Sequence, residues 1–163
     1  MNPIKIFTTG GSIDKVYSTH SSQFEVGPAQ AIAILDDANV GIEYAVEALL
    51  AKDSLEITDL DREMVAGRVR IETCKRILIT HGTDTMVDTA LALMEIPGKV
   101  IVLTGAMQPA AFQRSDAAFN LGFALAALQI LPEGVYIAMN GKVLDPRRAR
   151  KNIDLDRFEE IET

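Results

Sequence analysis

Short apolar runs alternate along this chain with stretches in which apolar side chains recur every three to four positions. The runs Ile4–Thr9, Ile42–Val46, Ile77–Thr80, Val100–Thr104 and Val135–Met139 predict strands. Pro28–Asp36, Thr58–Glu72, Asp84–Met94 and Ser115–Leu131 carry the helical period. Thr58 with Asp61, and Ser115 ahead of Asp116, read as N-caps with acidic first turns. Strands apolar on both faces, alternating with helices, predict an α/β fold class: a three-layer parallel sheet with helices on both faces. The helix at Ala117–Leu131 is apolar almost all the way round and must be buried on more than one side. Its second cover is either another subunit or loops of the same chain. The tail Arg147–Thr163 is heavily charged, and it is expected to pack only through its few apolar residues.

Composition narrows the function classes. The 163 residues suffice for one domain with a substantial core, and no repeat, linker or low-complexity tract divides them. A net charge of −7 argues against nucleic acid or an anionic membrane as partner. Cys74 is the single cysteine, so no internal disulfide forms, and with two histidines it makes no metal cluster. No motif calls for a cofactor. The start, MNPIKIF, lacks the pattern of a signal peptide, and no apolar run reaches spanning length. A cytoplasmic location is the expectation.

In a parallel α/β sheet, ligands bind beyond the carboxyl ends of the strands. The residues there are Thr8-Thr9-Gly10-Gly11-Ser12, Lys52-Asp53-Ser54, His81-Gly82-Thr83-Asp84-Thr85 and Gly105-Ala106-Met107. Three of these four edges carry hydroxyls and two add a carboxylate, which predicts a site built on hydroxyl chemistry. Gly10-Gly11 lets the backbone approach a ligand and leaves N–H groups for an anion or oxyanion, but neither GxGxxG nor a P-loop is present. Ser12 reads equally as a nucleophile beside backbone donors or as a turn cap. His81 is expected to pack or hydrogen-bond beneath the site, and His20 falls in a polar loop. A GxSxG elbow is absent.

TTGGSI (Thr8–Ile13) and ITHGTDTM (Ile79–Met86) resemble the two signatures of bacterial-type L-asparaginases. GAMQP (Gly105–Pro109), SDAAFNL (Ser115–Leu121) and MNGKVLD (Met139–Asp145) follow in that family's order. The resemblance spans nearly the whole chain but only the N-terminal domain of the family's two-domain subunit. It implies a single-domain member over residues 1–163 without the C-terminal domain. Ser12 falls where the family places its nucleophilic threonine, and Thr83, Asp84 and Lys151 fall on its second threonine, aspartate and lysine. Ser54 falls on the serine that holds the substrate's α-carboxylate, followed here by Leu55. Phe24 occupies the position of a catalytic tyrosine, and Tyr17 is the candidate to supply the phenol instead.

The activity this implies is hydrolysis of L-asparagine to L-aspartate and ammonia, without a cofactor. Catalytic residues would be Ser12, Tyr17, Thr83, Asp84 and Lys151; Gly11, Ser54, Thr83 and Asp84 would hold the substrate. Two alternatives stand beside it: a domain that binds aspartate or asparagine without turnover, and an amidase preferring another small amide such as L-glutamine. A homodimer or higher homo-oligomer is expected from the apolar helix at Ala117–Leu131.

Overall fold

A computed structural model describes residues 3–161. In chain order the strands are β1 (Ile4–Gly10), β2 (Lys15–Ser18), β3 (Gln23–Val26), β4 (Tyr44–Lys52), β5 (Arg76–Thr80), β6 (Val100–Thr104), β7 (Gly134–Met139), β8 (Lys142–Leu144), β9 (Ala149–Asn152) and β10 (Arg157–Glu160). The helices are α1 (Ala31–Asp37), α2 (Asp59–Ile71), α3 (Met86–Ala92) and α4 (Ala117–Ile130), with single 3-10 turns at Ser12–Asp14 and Ser54–Glu56. The main sheet has the order β4-β1-β5-β6-β7-β8. Its first five strands run parallel, whereas β8 pairs antiparallel with β7, so the sheet is mostly rather than wholly parallel.

Alternation along the strands builds two cores. Ile77 and Ile79 of β5, Ile101 and Leu103 of β6 and Phe7 of β1 face α2 and α3, meeting Val65, Val69, Met86 and Ala90. Leu78, Val102, Ile4 and Ile6 point the other way, against Ala31 and Leu35 of α1 and Leu121, Ala124 and Leu128 of α4. Each such aliphatic or aromatic side chain contributes about 1.5–3 kcal/mol relative to exposure. A strand buried on both faces must be apolar at every position, and that is why β5 and β6 read as unbroken runs.

The five predicted strands and four predicted helices all form, with shifted ends. α2 starts after Thr58, whose hydroxyl accepts from Asp61 N–H while the Asp61 carboxylate accepts from Thr58 N–H, a complete capping box. At α4 the helix begins at Ala117, and Ser115 Oγ accepts its N–H at 3.0 Å. α3 begins at Met86, two residues after the predicted start, because Thr83 and Asp84 are turned into the site instead. The second strand runs to Lys52 rather than stopping at Val46, since pairing with β1 overrides the helix-favouring residues Glu47–Lys52. The tail is also more ordered than expected. β9 and β10 form an antiparallel hairpin, with Phe158 and Ala149 inserted into the core beneath α2 and α3's side of the sheet.

Candidate active site

The carboxyl ends of β1, β4 and β5 come into direct contact. Gly10 and Gly11 both have positive φ, at 98° and 85°. A Cβ on Gly10 would fall 2.5 Å from Lys52 O, and one on Gly11 would overlap Gly82 Cα. On Gly82 it would lie 2.5 Å from Ser54 Cβ. Glycine is therefore required where the loop after β1 meets Lys52 and Gly82 main chain to main chain and where the Ser54 side chain packs on Gly82. Ser12 and Thr83, each next to one of these glycines, are held on neighbouring loops. Thr85 Oγ1 donates to Ser54 O at 2.7 Å, and Thr9 Oγ1 donates to Thr80 O at 2.9 Å, tying the same loops together.

Lys151 reaches the site from far along the chain. It sits on β9, where it pairs with Phe158 of β10, and Phe158 N–H donates to Asn140 Oδ1 at 2.8 Å. With Phe158 buried, the hairpin is fixed and its lysine is aimed at the sheet rim. Lys151 Nζ lies 2.8 Å from Thr83 Oγ1 and 2.6 Å from Asp84 Oδ1. Thr83 is buried; Asp84 and Lys151 keep side-chain exposures of 42% and 20%, leaving the ion pair open on the solvent side.

The backbone donors are unevenly committed. Gly11 N–H donates to Lys52 O at 2.9 Å, so Gly11 contributes closeness of approach rather than a free N–H. Neither Ser12 N–H nor Thr83 N–H meets an acceptor among the described residues. Both are available to a bound carbonyl oxygen or oxyanion. Ser12 is half-buried in its 3-10 turn.

Tyr17 and Phe24 are direct cross-strand partners in the β2–β3 hairpin, their rings meeting edge to face at 5.5 Å. Phe24 in turn packs on Phe112 at 5.4 Å. Both hairpin aromatics remain about half exposed. Lys15 at the hairpin's base pairs with Asp53 at 2.7 Å; the lysine, with the Leu55 N–H, holds the Asp53 carboxyl below its usual range. Leu55 itself is 73% exposed.

His81 is fully buried, with Nδ1 2.7 Å from Gly82 O and Nε2 2.7 Å from Thr89 Oγ1. Burial pushes its pKa down to about 4. His20 lies exposed in the turn between β2 and β3.

Several supports escaped the reading by residue type. Asp116 accepts from Met107 N–H, Gln108 N–H and Asn120 Nδ2; Asn120 also donates to Gly105 O and accepts from Asn140 N–H. One network, buried at Asn120 and reaching the surface at Gln108, thus joins GAMQP, SDAAFNL and MNGK and fixes the loop after β6. The signal was present, since Asp and Asn inside an otherwise apolar helix need partners.

The chain matches the family model for the N-terminal domain of asparaginase over residues 3–162. It is 39% identical to a glutaminase-asparaginase from Pseudomonas aeruginosa, an alignment covering 95% of this chain and 47% of that protein. Its fold superposes on L-asparaginase I from Vibrio cholerae with a TM-score of 0.83 and 26% identity, over 98% of this chain and 51% of the other. A probable cytoplasmic L-asparaginase from Campylobacter jejuni gives a TM-score of 0.80 at 26% identity, over 98% and 52%. The chain spans about half the length of these relatives. The model match across the sheet and the shared order of the rim motifs make the chain a member of the asparaginase family, corresponding to its N-terminal domain.

Proposed function

We propose that this chain hydrolyses the side-chain amide of L-asparagine, giving L-aspartate and ammonia. The observation that carries the reading is the Lys151–Thr83–Asp84 cluster, in which residues 67 and 68 positions apart meet at 2.6 and 2.8 Å beside the loop bearing Ser12. An amide is a weak electrophile with a poor leaving group, so its cleavage needs an activated hydroxyl, oxyanion donors and a proton for nitrogen.

Ser12 Oγ attacks the amide carbon while its proton is relayed through the Tyr17 hydroxyl, which takes it up only as it gives its own proton to the amide nitrogen. The free N–H groups of Ser12 and Thr83 hold the oxyanion; one such donor is worth about 3–4 kcal/mol of transition-state stabilisation. Collapse breaks the C–N bond, the protonated nitrogen leaves as ammonia, and an ester on Ser12 remains. Water then attacks that ester, oriented by Thr83. Because Thr83 Oγ1 accepts from Lys151, its hydroxyl hydrogen is left to act towards substrate or water. Ser54 would hold the α-carboxylate and Asp84 the α-ammonium, selecting amino acids over simple amides.

Tyr17 takes the part of the phenol because it stands directly across the hairpin from Phe24. Directly opposed residues place their side chains on one face about 5 Å apart, so moving the phenol between them shifts it by a single strand spacing. A homodimer is proposed through the outer face of α4, where Phe119 and Ile130 are exposed and Phe123, stacked on Phe119, is half-buried against the core. A cytoplasmic location is proposed from the likeness to the Campylobacter jejuni protein.

Ammonia release from purified protein and L-asparagine tests the activity. Ser12→Ala is expected to lower kcat at least about 10³-fold, and Thr83→Val comparably. Activity that survives both removes the assigned nucleophile. The Pseudomonas aeruginosa relative's name favours running L-glutamine in parallel, since one methylene changes selectivity by only about 1–3 kcal/mol. Aspartate binding by calorimetry with no ammonia release would instead establish a binding domain.

A further inference from the structure

A chain of hydrogen bonds runs from the surface of α2 to the main chain of the site. Arg62 Nε–H donates to Thr89 Oγ1 at 3.2 Å. Thr89 Oγ1 is 2.7 Å from His81 Nε2, and His81 Nδ1 is 2.7 Å from Gly82 O. The directions follow from chemistry. A carbonyl oxygen only accepts, so Nδ1 must carry a proton. The imidazole is neutral at pH 7, because burial holds its pKa near 4, with Arg62 adding to that effect and the Gly82 carbonyl and Asp88 opposing it. A neutral ring protonated on Nδ1 has an accepting Nε2, so the Thr89 hydroxyl donates to it and receives Arg62 N–H in turn.

The consequence lies in the next bond of the chain. Gly82 C=O and Thr83 N–H belong to one trans peptide and point in opposite directions. Fixing the carbonyl on the buried imidazole therefore turns Thr83 N–H away from it. That N–H belongs to a buried residue and meets no acceptor among the described residues. Buried amides are nearly always paired, so an unpaired one at a loop junction marks a donor kept for a ligand.

We propose that His81 is a positioning residue that aims the Thr83 N–H at the oxyanion by gripping the Gly82 carbonyl, as a Nδ1-protonated ring oriented by Thr89 and Arg62. This rests on the amide-hydrolysis reading. It differs from a packing role, for which any apolar side chain of similar size would serve.

His81→Leu and His81→Asn separate the two. Leucine fills the space without a donor, whereas the asparagine amide nitrogen falls near the position of Nδ1 and keeps the bond to Gly82 O. The leucine variant is expected to lower kcat roughly 100-fold with KM changed by less than about threefold, the pattern of a lost transition-state donor. Asparagine is expected to restore at least about tenfold of that loss. A leucine variant that melts like wild type and turns over within about twofold of it, or an asparagine variant no better than leucine, overturns the proposal. One measurement needs no variant: the long-range proton–nitrogen spectrum of the wild type at neutral pH must show His81 protonated on Nδ1 and bare on Nε2. The opposite tautomer overturns the proposal. A wild type with no ammonia release rejects the hydrolase reading alone, and the tautomer still decides the part of His81.

Discussion

Asp14 ends the turn that carries Ser12, and only 2% of it is exposed. Its carboxylate accepts Gln30 N–H at 2.8 Å, but burial outweighs that bond and raises its pKa from 3.8 to about 6. A raised folded pKa favours the protonated form on folding, so this contribution is full below pH 3.8 and lost as pH rises through about 6. Asp14→Asn keeps the acceptor without the charge, and is expected to be more stable than wild type above pH 6 by up to roughly 3 kcal/mol. Urea midpoints at pH 8 and pH 4 check it; equal gaps at both would refute the buried charge. His81 works in the opposite sense. Its folded pKa is depressed from 6.5 to about 4, so its contribution is full above 6.5 and lost as pH falls through 4. Asp61 and Glu72, held near 2, lose theirs only at lower pH. In wild type the two buried groups offset one another between pH 4 and 6.5. The Asp14→Asn protein should therefore lose stability steadily across that window while wild type stays flatter.

At the scale of elements, two small hairpins carry the side chains proposed for the chemistry. β2–β3 carries Tyr17 opposite Phe24. Tyr17→Phe is expected to lower kcat about 10²–10⁴-fold as a proton carrier is lost. The double variant Tyr17→Phe with Phe24→Tyr returns a phenol to the same face of the hairpin, and a partial recovery of kcat is the expected result. If the single change leaves turnover intact, the phenol has no part in it. β9–β10 carries Lys151 and is anchored by Phe158. Phe158→Ala is expected to cost about 3–5 kcal/mol, and to lower activity further than the stability loss explains, by releasing Lys151 from Thr83. Thermal melts and turnover measured well below the midpoint separate the two effects. These hairpins were also the elements hardest to read. β5 and α3 declare themselves by periodicity, since burial dictates each position. β2, β3, β9 and β10 are short, exposed and polar, and are specified by single buried or stacked aromatics whose partners, Asn140 and Phe112, lie far away in sequence. β4 was cut short for a related reason, because an edge strand tolerates Glu, Ala and Lys that elsewhere build a helix.

Across the whole molecule, the hydroxyls of Ser12, Ser54, Thr83 and Thr85 gather at one rim of the sheet, while the other end holds the ion pairs of Lys5, Glu47, Arg68 and Glu72. The rim could be located from the order of strands and glycines; parts for Thr83 and Asp84 came only with the resemblance, and the structure sets both side chains against Lys151. What could not be located was how each loop is held, because Asn120, Asp116 and Thr85 act through partners on other elements. The face of α4 bearing Phe119, Phe123 and Ile130 has its own prediction. Light scattering at micromolar concentration is expected to give a dimer mass, and Phe119→Lys with Ile130→Lys a monomer; a monomeric wild type refutes the interface.

The meeting of Gly11 and Gly82 has a consequence for redesign. At that contact the chain is bare backbone, so no side chain there can be shortened to admit a longer compound. Any widening has to come from the outer side, at Phe24 of the hairpin or the exposed Leu55, where atoms exist to be removed. Libraries confined to Phe24 and Leu55 would leave the reacting groups, Tyr17 included, in place while the dimensions of the cleft change.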